Sequence, residues 1–351
     1  MSSKQQLELI SLAPEHFSEW DAFVAGQAST GSIYSSAAYL DILAKHTGGT
    51  FNIAALKNSG RLLGGVGLYI TEKHHHEIVS NRLLLYYNGI VLLEELLKPS
   101  SNSSQLHCVL DGLITYIKAC DYGAVTLHCR SSKIDYRPFL TNDWKGEPSY
   151  TFVVPLSDID QLWKSLDKNA RRLIRRAEEA GITAEEDNDF EALYSMHFET
   201  HLRKGAPLYL PKESFRSFVE DIVEANLGSI FTARMPDGSP AASQLVLHGP
   251  HPGSHTVCAG AVEQYMSHGT TYFLRWKAFE ALAARGAVYN DLTDAAIGPV
   301  SRFKQQLAAE LHMNMVLRSQ EAGTYHFSKS WDQRYRALRS RVGRIIRRGK
   351  Q

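Results

Sequence analysis

The sequence predicts an α+β fold of the layered α/β kind, built twice in tandem, with mixed sheets flanked by helices. Three observations predict it. Apolar residues recur at three and four in some windows and alternate or run short in others, so helices and strands interleave. The order helix, hairpin, strand, helix, strand occurs twice at a spacing of about 170 residues, too long for a solenoid and right for a duplicated domain. The 351 residues, 44% hydrophobic and 21% charged, supply core for two domains and argue against wholesale disorder.

In the first copy, "SAAYLDILAKHT" reads as a helix. "FNIAALKNSGRLLGGVGLYI" reads as a hairpin turning at Asn58-Ser59-Gly60, because Asn and Gly tolerate positive φ. "RLLLYYNGIV" reads as a further strand, "SQLHCVLDGLITYIKACD" as a helix and "YGAVTLHC" as a strand. In the second copy the same order runs through "KESFRSFVEDIVEAN", a hairpin turning at Pro236-Asp237-Gly238, "HTVCAGAVE", "TTYFLRWKAFEALAARG" and "AVYNDLT". Gly123 and Gly286 follow equivalent helices, where a left-handed cap is expected. The join falls near "TNDWKGEPSYTFVVPL", which holds Gly, Pro and polar residues. The expected domains are 1–147, 148–330 and a basic C-terminal helix or tail at 331–351.

Net charge is +1, so any nucleic-acid binding must come from local patches. The N-terminal stretch lacks a charged start with a long apolar core, and no apolar run is long enough to span a bilayer. The expectation is a cytoplasmic protein, with peripheral contact to an anionic membrane as an open alternative. Cys108, Cys120, Cys129 and Cys258 form no CxxC pair, and the adjacent His74 to His76 cannot converge on one metal, so no metal is expected.

Two basic segments stand outside the repeat. In the first, Lys168, Arg171, Arg172, Arg175 and Arg176 fall within nine residues. At helical spacing Leu166, Leu173, Ile174 and Ala177 face the core and the cations form a stripe. That stripe is either a solvated face with pairs such as Arg175–Glu179 or an anion clamp, since arginine forks match phosphate or carboxylate. The tail carries eight Lys/Arg from Arg334 to Lys350 and no acid, with Tyr335, Leu338, Val342 and Ile345 on one helical face. It suits RNA, an anionic membrane, or plain solvent.

The segment "KNARRLIRRAEEAGI", then "SPAASQLVL", "FLRWKAFEALAARGAVYNDLTD" and "SRFKQQLAAEL", resembles the FemAB/FemX-type transferases, tandem GNAT-fold proteins related to the BioF2-like acetyltransferase group. The resemblance is strongest from about Trp163 to Leu311. It implies acyl or aminoacyl transfer to an amine, from aminoacyl-tRNA in the FemX type or acyl-CoA in the GNAT relatives, with no tightly bound cofactor. The family's Phe-Lys falls on Phe303 and Lys304, and the resemblance gives that lysine a role on the reacting ester or on developing charge. Its arginine-rich helix falls on Asn169, Arg171, Arg172 and Arg175, the expected donor-phosphate site. Two features depart from the pattern. The long helical-hairpin arm of some members is missing, and so is the Gly-rich pyrophosphate loop of ordinary GNAT enzymes, since "QYMSHGTTYF" holds one Gly.

Acyl transfer to an amine needs a neutral nucleophile, a stabilised oxyanion and a proton for the leaving group. Asp291 ends the strand "AVYNDL" and is expected to point into a crevice, with Asp294 just beyond. Lys304 is expected in the first helical turn after it, beside Asp291, with Phe303 walling the acyl pocket. Asp291 would accept the amine proton. Both acids also suit turn and cap chemistry ahead of Gly298-Pro299. His197, His201, His248 and His268 are possible bases, though a lone histidine near a helix start, such as His268, is more often a hydrogen-bonded structural residue. Because no Phe-Lys follows "YGAVTLHC", the first copy is expected to hold the acceptor, with Tyr34, Lys45 and Tyr87 as candidates and Tyr86 and Asn88 nearby.

The leading expectation is a FemX-like N-acyl or aminoacyl transferase serving a peptidoglycan, other cell-envelope, peptide or sugar precursor, with tRNA as a partner in the aminoacyl case. The alternatives are an acetyl-CoA-dependent acetyltransferase of a polysaccharide precursor and a non-catalytic membrane-surface binding module.

Overall fold

The computed structural model describes residues 7–81, 84–98, 103–131, 133–205, 208 and 210–331. The expectations for the tail at 332–351 lie outside the described residues. The strands are β1 (Leu7–Ser11), β2 (Thr50–Asn58), β3 (Arg61–Lys73), β4 (His76–Val79), β5 (Ile90–Leu92), β6 (Ala124–Cys129), β7 (Lys145–Pro155), β8 (Thr183–Glu186), β9 (Gly228–Arg234), β10 (Pro240–Leu247), β11 (Gly253–Ala261), β12 (Tyr289–Asp291) and β13 (Glu310–Arg318). The helices are α1 (Phe17–Ala25), α2 (Ala37–Thr47), α3 (Ser103–Ala119), α4 (Arg137–Thr141), α5 (Ile159–Ser165), α6 (Lys168–Glu179), α7 (Phe190–Lys204), α8 (Lys212–Glu224), α9 (Thr270–Ala284) and α10 (Pro299–Gln306).

The repeat read in the sequence reappears in the strand pairing. β1, β2, β3 and β4 pair antiparallel in turn and β4 then pairs β6 in parallel. β8, β9, β10, β11 and β12 follow the same scheme. β13 is antiparallel to β6 on one side and β7 on the other, and β7 pairs β12. The expected sheets are therefore joined into one mixed sheet, in the order β1-β2-β3-β4-β6-β13-β7-β12-β11-β10-β9-β8, with β5 on β3.

Alternation along each strand sends neighbours to opposite faces. Ala54 and Leu56 pack with α3, while Ile53 and Ala55 pack with α1. Phe231 and Val246 pack with α6 and α9, while Ile230 and Leu245 pack with α8. Met315 and Leu317 on β13 continue the face that carries α3 and α4, and Phe152 on β7 the same face under α9. So α1, α2, α7 and α8 cover one face and α3, α4, α5, α6 and α9 the other.

Local chemistry sets the helix ends. Ser36 Oγ accepts from the Tyr39 amide at the start of α2, and Gly48 ends it with φ 69°. Asp167 caps α6 through the Asn169 amide, and Ala170, Ile174 and Ala177 bury its apolar stripe. Leu173, expected in that stripe, is half-buried.

Two local expectations fail, and one stretch takes regular structure. Among the described residues of "RLLLYYNGIV", a strand forms from Ile90 onward, as β5; Asn88 spends its amide group on β6 rather than joining a ladder. The left-handed residue after α3 is Asp121 (φ 52°), not Gly123; a Cβ on Gly123 would meet His76 Cβ at 2.9 Å, so close approach holds that glycine. Gly286 does take φ 87°. The polar "WKGEPSY" read as a join lies inside β7. Its Gly and Pro are tolerated because β7 pairs only β13 there, and meets β12 from Val153 onward.

Candidate active site

The site begins where two strands part. β11 and β12 pair over three positions only, the last being His255 with Asp291. Two residues later β11 bulges: Thr256 faces Val246 and Cys258 faces Leu245, leaving Val257 without a partner on β10. A bulge bends its strand and raises the local twist. β11 continues to Ala261 while β12 stops at Asp291, so a cleft opens between them.

A tight turn closes the foot of that cleft. Thr293 and Asp294 have φ of 53° and 31°, a region costly for residues with a Cβ and most of all for a β-branched one. Lys304 reaches this turn from α10. Its Nζ donates to the carbonyls of Thr293 and Asp294, at 2.5 Å each. Lys304 sits in the second half of α10 rather than its first turn, because the helix starts at Pro299. Phe303 beside it meets Tyr272 of α9 edge-on at 4.8 Å between ring centroids.

Asp291 does not face an open crevice. It is fully buried, and its oxygens are taken. Oδ1 accepts from Thr151 Oγ1 (2.5 Å) and the Thr293 amide (2.7 Å), and Oδ2 accepts from the Tyr87 hydroxyl (2.7 Å). His255 Nδ1 lies 3.8 Å from Oδ2. Burial, helped by nearby Arg130, keeps His255 well below the usual histidine range, and burial also lowers His128. Burial, and then the Asp291 charge, keeps the proton on Tyr87. The Asp291 carboxylate is thus held by neutral donors beneath the cleft floor.

Of the residues expected to hold the acceptor, Tyr34 and Tyr87 join this buried cluster; their rings lie 5.9 Å apart and Tyr34 meets His255 at 4.8 Å. Lys45 does not. It lies on the outer side of α2, 63% exposed, paired with Asp221 of α8 at 2.7 Å. Tyr86 does border the cleft: burial pushes its hydroxyl up to about 12 with Cys258 alongside, and a hydrogen bond with Thr293 opposes the shift.

The arginine helix lies against both helices that flank the cleft. The Asp167 amide donates to the Gln306 carbonyl at the end of α10 (3.0 Å). At the start of α9, Gly269 (φ 86°) leaves so little room that a Cβ would sit 2.3 Å from the Leu173 carbonyl. Lys168, Arg171, Arg172, Arg175, Arg176 and Glu179 line one open face. Among the described residues none of these arginines forms an ion pair, so the expected Arg175–Glu179 pair is absent; Arg175 lies over Trp163 and Arg172 donates to Asn169 Oδ1 (2.8 Å).

Sequence reading missed Thr151, Thr293, His255 and Asn314. Their signal was a polar residue among apolar strand neighbours: His255 in "GSHTV", Thr151 in "YTFVV" and Asn314 in "HMNMV", with Thr293 just past "AVYNDL".

Comparison with known proteins fits this geometry. Residues 164–305 match the family model described as the acetyltransferase (GNAT) domain. No curated protein matches the chain. Among solved structures, FemX is 14% identical with a TM-score of 0.69, covering 88% of this chain and 96% of that one. The C-terminal domain of a putative lysylphosphatidylglycerol synthetase from Agrobacterium fabrum is 10% identical, TM-score 0.57, covering 89% and 94%. A tandem GNAT protein from the clavulanic acid biosynthesis pathway is 11% identical, TM-score 0.50, covering 90% and 99%. At such identities the likeness is one of fold. Residues 164–305 thus resemble a GNAT acetyltransferase domain, and the whole chain shares its fold with FemX and the tandem GNAT protein. Among the described residues no helix is long and apolar enough to cross a membrane.

Proposed function

We propose that the chain is an acyltransferase of FemX-like type. It moves an acyl or aminoacyl group from a phosphate-bearing carrier, aminoacyl-tRNA or acyl-CoA, to an amine of a cell-envelope, peptide or sugar precursor. The observation that carries this reading is the Lys304 ammonium held on the turn at the foot of the β11–β12 cleft. In the reaction the acceptor nitrogen attacks the carbonyl carbon, and the C–O or C–S bond to the carrier breaks. The proton lost by the nitrogen ends on the departing oxygen or sulfur. A fixed cation at the cleft stabilises the negative charge that passes through the tetrahedral stage. Tyr86 and Phe303 border the space for the acyl group, and Arg171, Arg172 and Arg175, which form no ion pair among the described residues, supply forks for carrier phosphates. The aminoacyl branch draws support from the neighbour named as a lysylphosphatidylglycerol synthetase.

The test is binding. The purified protein is titrated with acetyl-CoA and, separately, with a charged tRNA pool, following thermal stability at two salt concentrations. A ligand of the folded state raises the midpoint. A salt-steep response to tRNA alone supports aminoacyl transfer. A response to acetyl-CoA alone supports the acetyltransferase form, and silence from both overturns the reading.

A further inference from the structure

We infer that Asp291, Tyr87 and Thr151 are positioning residues for Lys304, acting through the Thr293–Asp294 turn; the inference rests on the reading of Lys304 as the transfer lysine. The chain of contacts is continuous. Tyr87, from the first repeat, and Thr151, from β7, each donate a hydroxyl to Asp291. Asp291 Oδ1 also accepts from the Thr293 amide, which fixes the peptide unit entering the left-handed pair. Thr293 Oγ1 donates to the Leu292 carbonyl (2.8 Å). The carbonyls leaving that pair converge on Lys304 Nζ.

Each link is needed on physical grounds. Two successive left-handed residues, one of them threonine, persist only where their surroundings over-determine them. The turn lacks glycine, so something must hold it, and the buried Asp291 carboxylate does. A carboxylate at that depth needs donors in turn, because a buried charge left with empty lone pairs is costly. Tyr87 and Thr151 provide them, and Asn314 Nδ2 donates to the Tyr87 oxygen at 3.3 Å. The first repeat thus reaches Asp291 itself through the Tyr87 hydroxyl. Its own corresponding opening, past the short β4–β6 pairing, is spanned by Asn88.

Lysine reactivity tests this without knowledge of the substrate. The full chain is acetylated with a water-soluble N-hydroxysuccinimide ester, and labelling at Lys304 is read by mass spectrometry against Lys45, whose Asp221 partner is remote from the turn. Tyr87→Phe and Thr151→Val keep shape and each remove one donor; Asp291→Asn removes the charge. The ratio of Lys304 to Lys45 labelling is expected to rise about fivefold in each single variant, the scale of one lost hydrogen bond. Lys57, 13% exposed and bound to Glu19 at 2.8 Å, reports general loosening and is expected not to change. An unchanged ratio in Tyr87→Phe and Thr151→Val, at wild-type thermal stability, overturns the inference. So does a rise shared by Lys57. Should Asp291→Asn fail to fold, the two isosteric variants carry the test. A raised ratio with turnover untouched by Lys304→Ala leaves the positioning intact and removes the transfer reading instead.

Discussion

Asn88 brackets Leu127 on β6: the amide nitrogen donates to the Thr126 carbonyl and the amide oxygen accepts from the His128 backbone N–H, both at 2.8 Å. One buried side chain here does the work of a strand. Asn88→Ala leaves two partly buried main-chain groups without their partner and is expected to cost about 1–3 kcal/mol. Urea unfolding of the variant beside wild type measures it. A loss within error would mean that β6 finds other partners.

Lys304→Ala is expected to lower transfer about 10²–10³-fold, the scale of removing one group that stabilises an oxyanion. Lys304→Arg should recover only part, because a planar fork does not match two convergent carbonyls as an ammonium does. Rates at saturating acceptor, with thermal midpoints alongside, separate chemistry from folding.

Arg171→Glu, Arg172→Glu and Arg175→Glu are each expected to weaken binding of the phosphate-bearing donor. For tRNA, each should reduce the steepness of the log–log salt dependence by about one. Titrations at several salt concentrations read this directly, and a slope untouched by all three changes would place the carrier elsewhere.

Stability is expected to fall as pH drops from about 6.5 toward 4. Burial, with Arg130 nearby, holds His251 at about 4. Its folded pKa is lowered, so below 6.5 the unfolded chain takes up a proton that the folded chain refuses, and stability rises with pH across that window. The limit is roughly 3 kcal/mol for this one group. His255 and His128 act in the same direction. His251 Nδ1 accepts from the Gly253 amide (2.9 Å), a bond that His251→Asn can keep, so that variant should flatten the pH profile of the melting midpoint.

Much of this was legible in the residues. The duplicated order of elements, which reappears in the strand pairing, came from pattern. The partnership of Asp291 with Tyr87 and Thr151 did not, since it joins positions 204 and 140 residues apart, and no local period encodes such a meeting. Lys45 is the converse case: in sequence, a lysine on an amphipathic helix looks the same whether it meets a substrate or pairs with an aspartate of α8, as it does here. "RLLLYYNGIV" has strand composition, yet the spacing that would have revealed its task is the distance from Asn88 to β6.

The place of β13 bears on how the chain comes to be folded at all. It is the last strand in sequence among the described residues and yet it lies in the middle of the sheet. During synthesis β6 and β7 must wait with open edges until Glu310 to Arg318 is made. Open edges are templates for pairing with the wrong chain, and such long-range closure is slow. The two repeats are therefore committed to one late, shared step, and a chain cut before Glu310 would leave the edges of β6 and β7 that β13 covers unguarded.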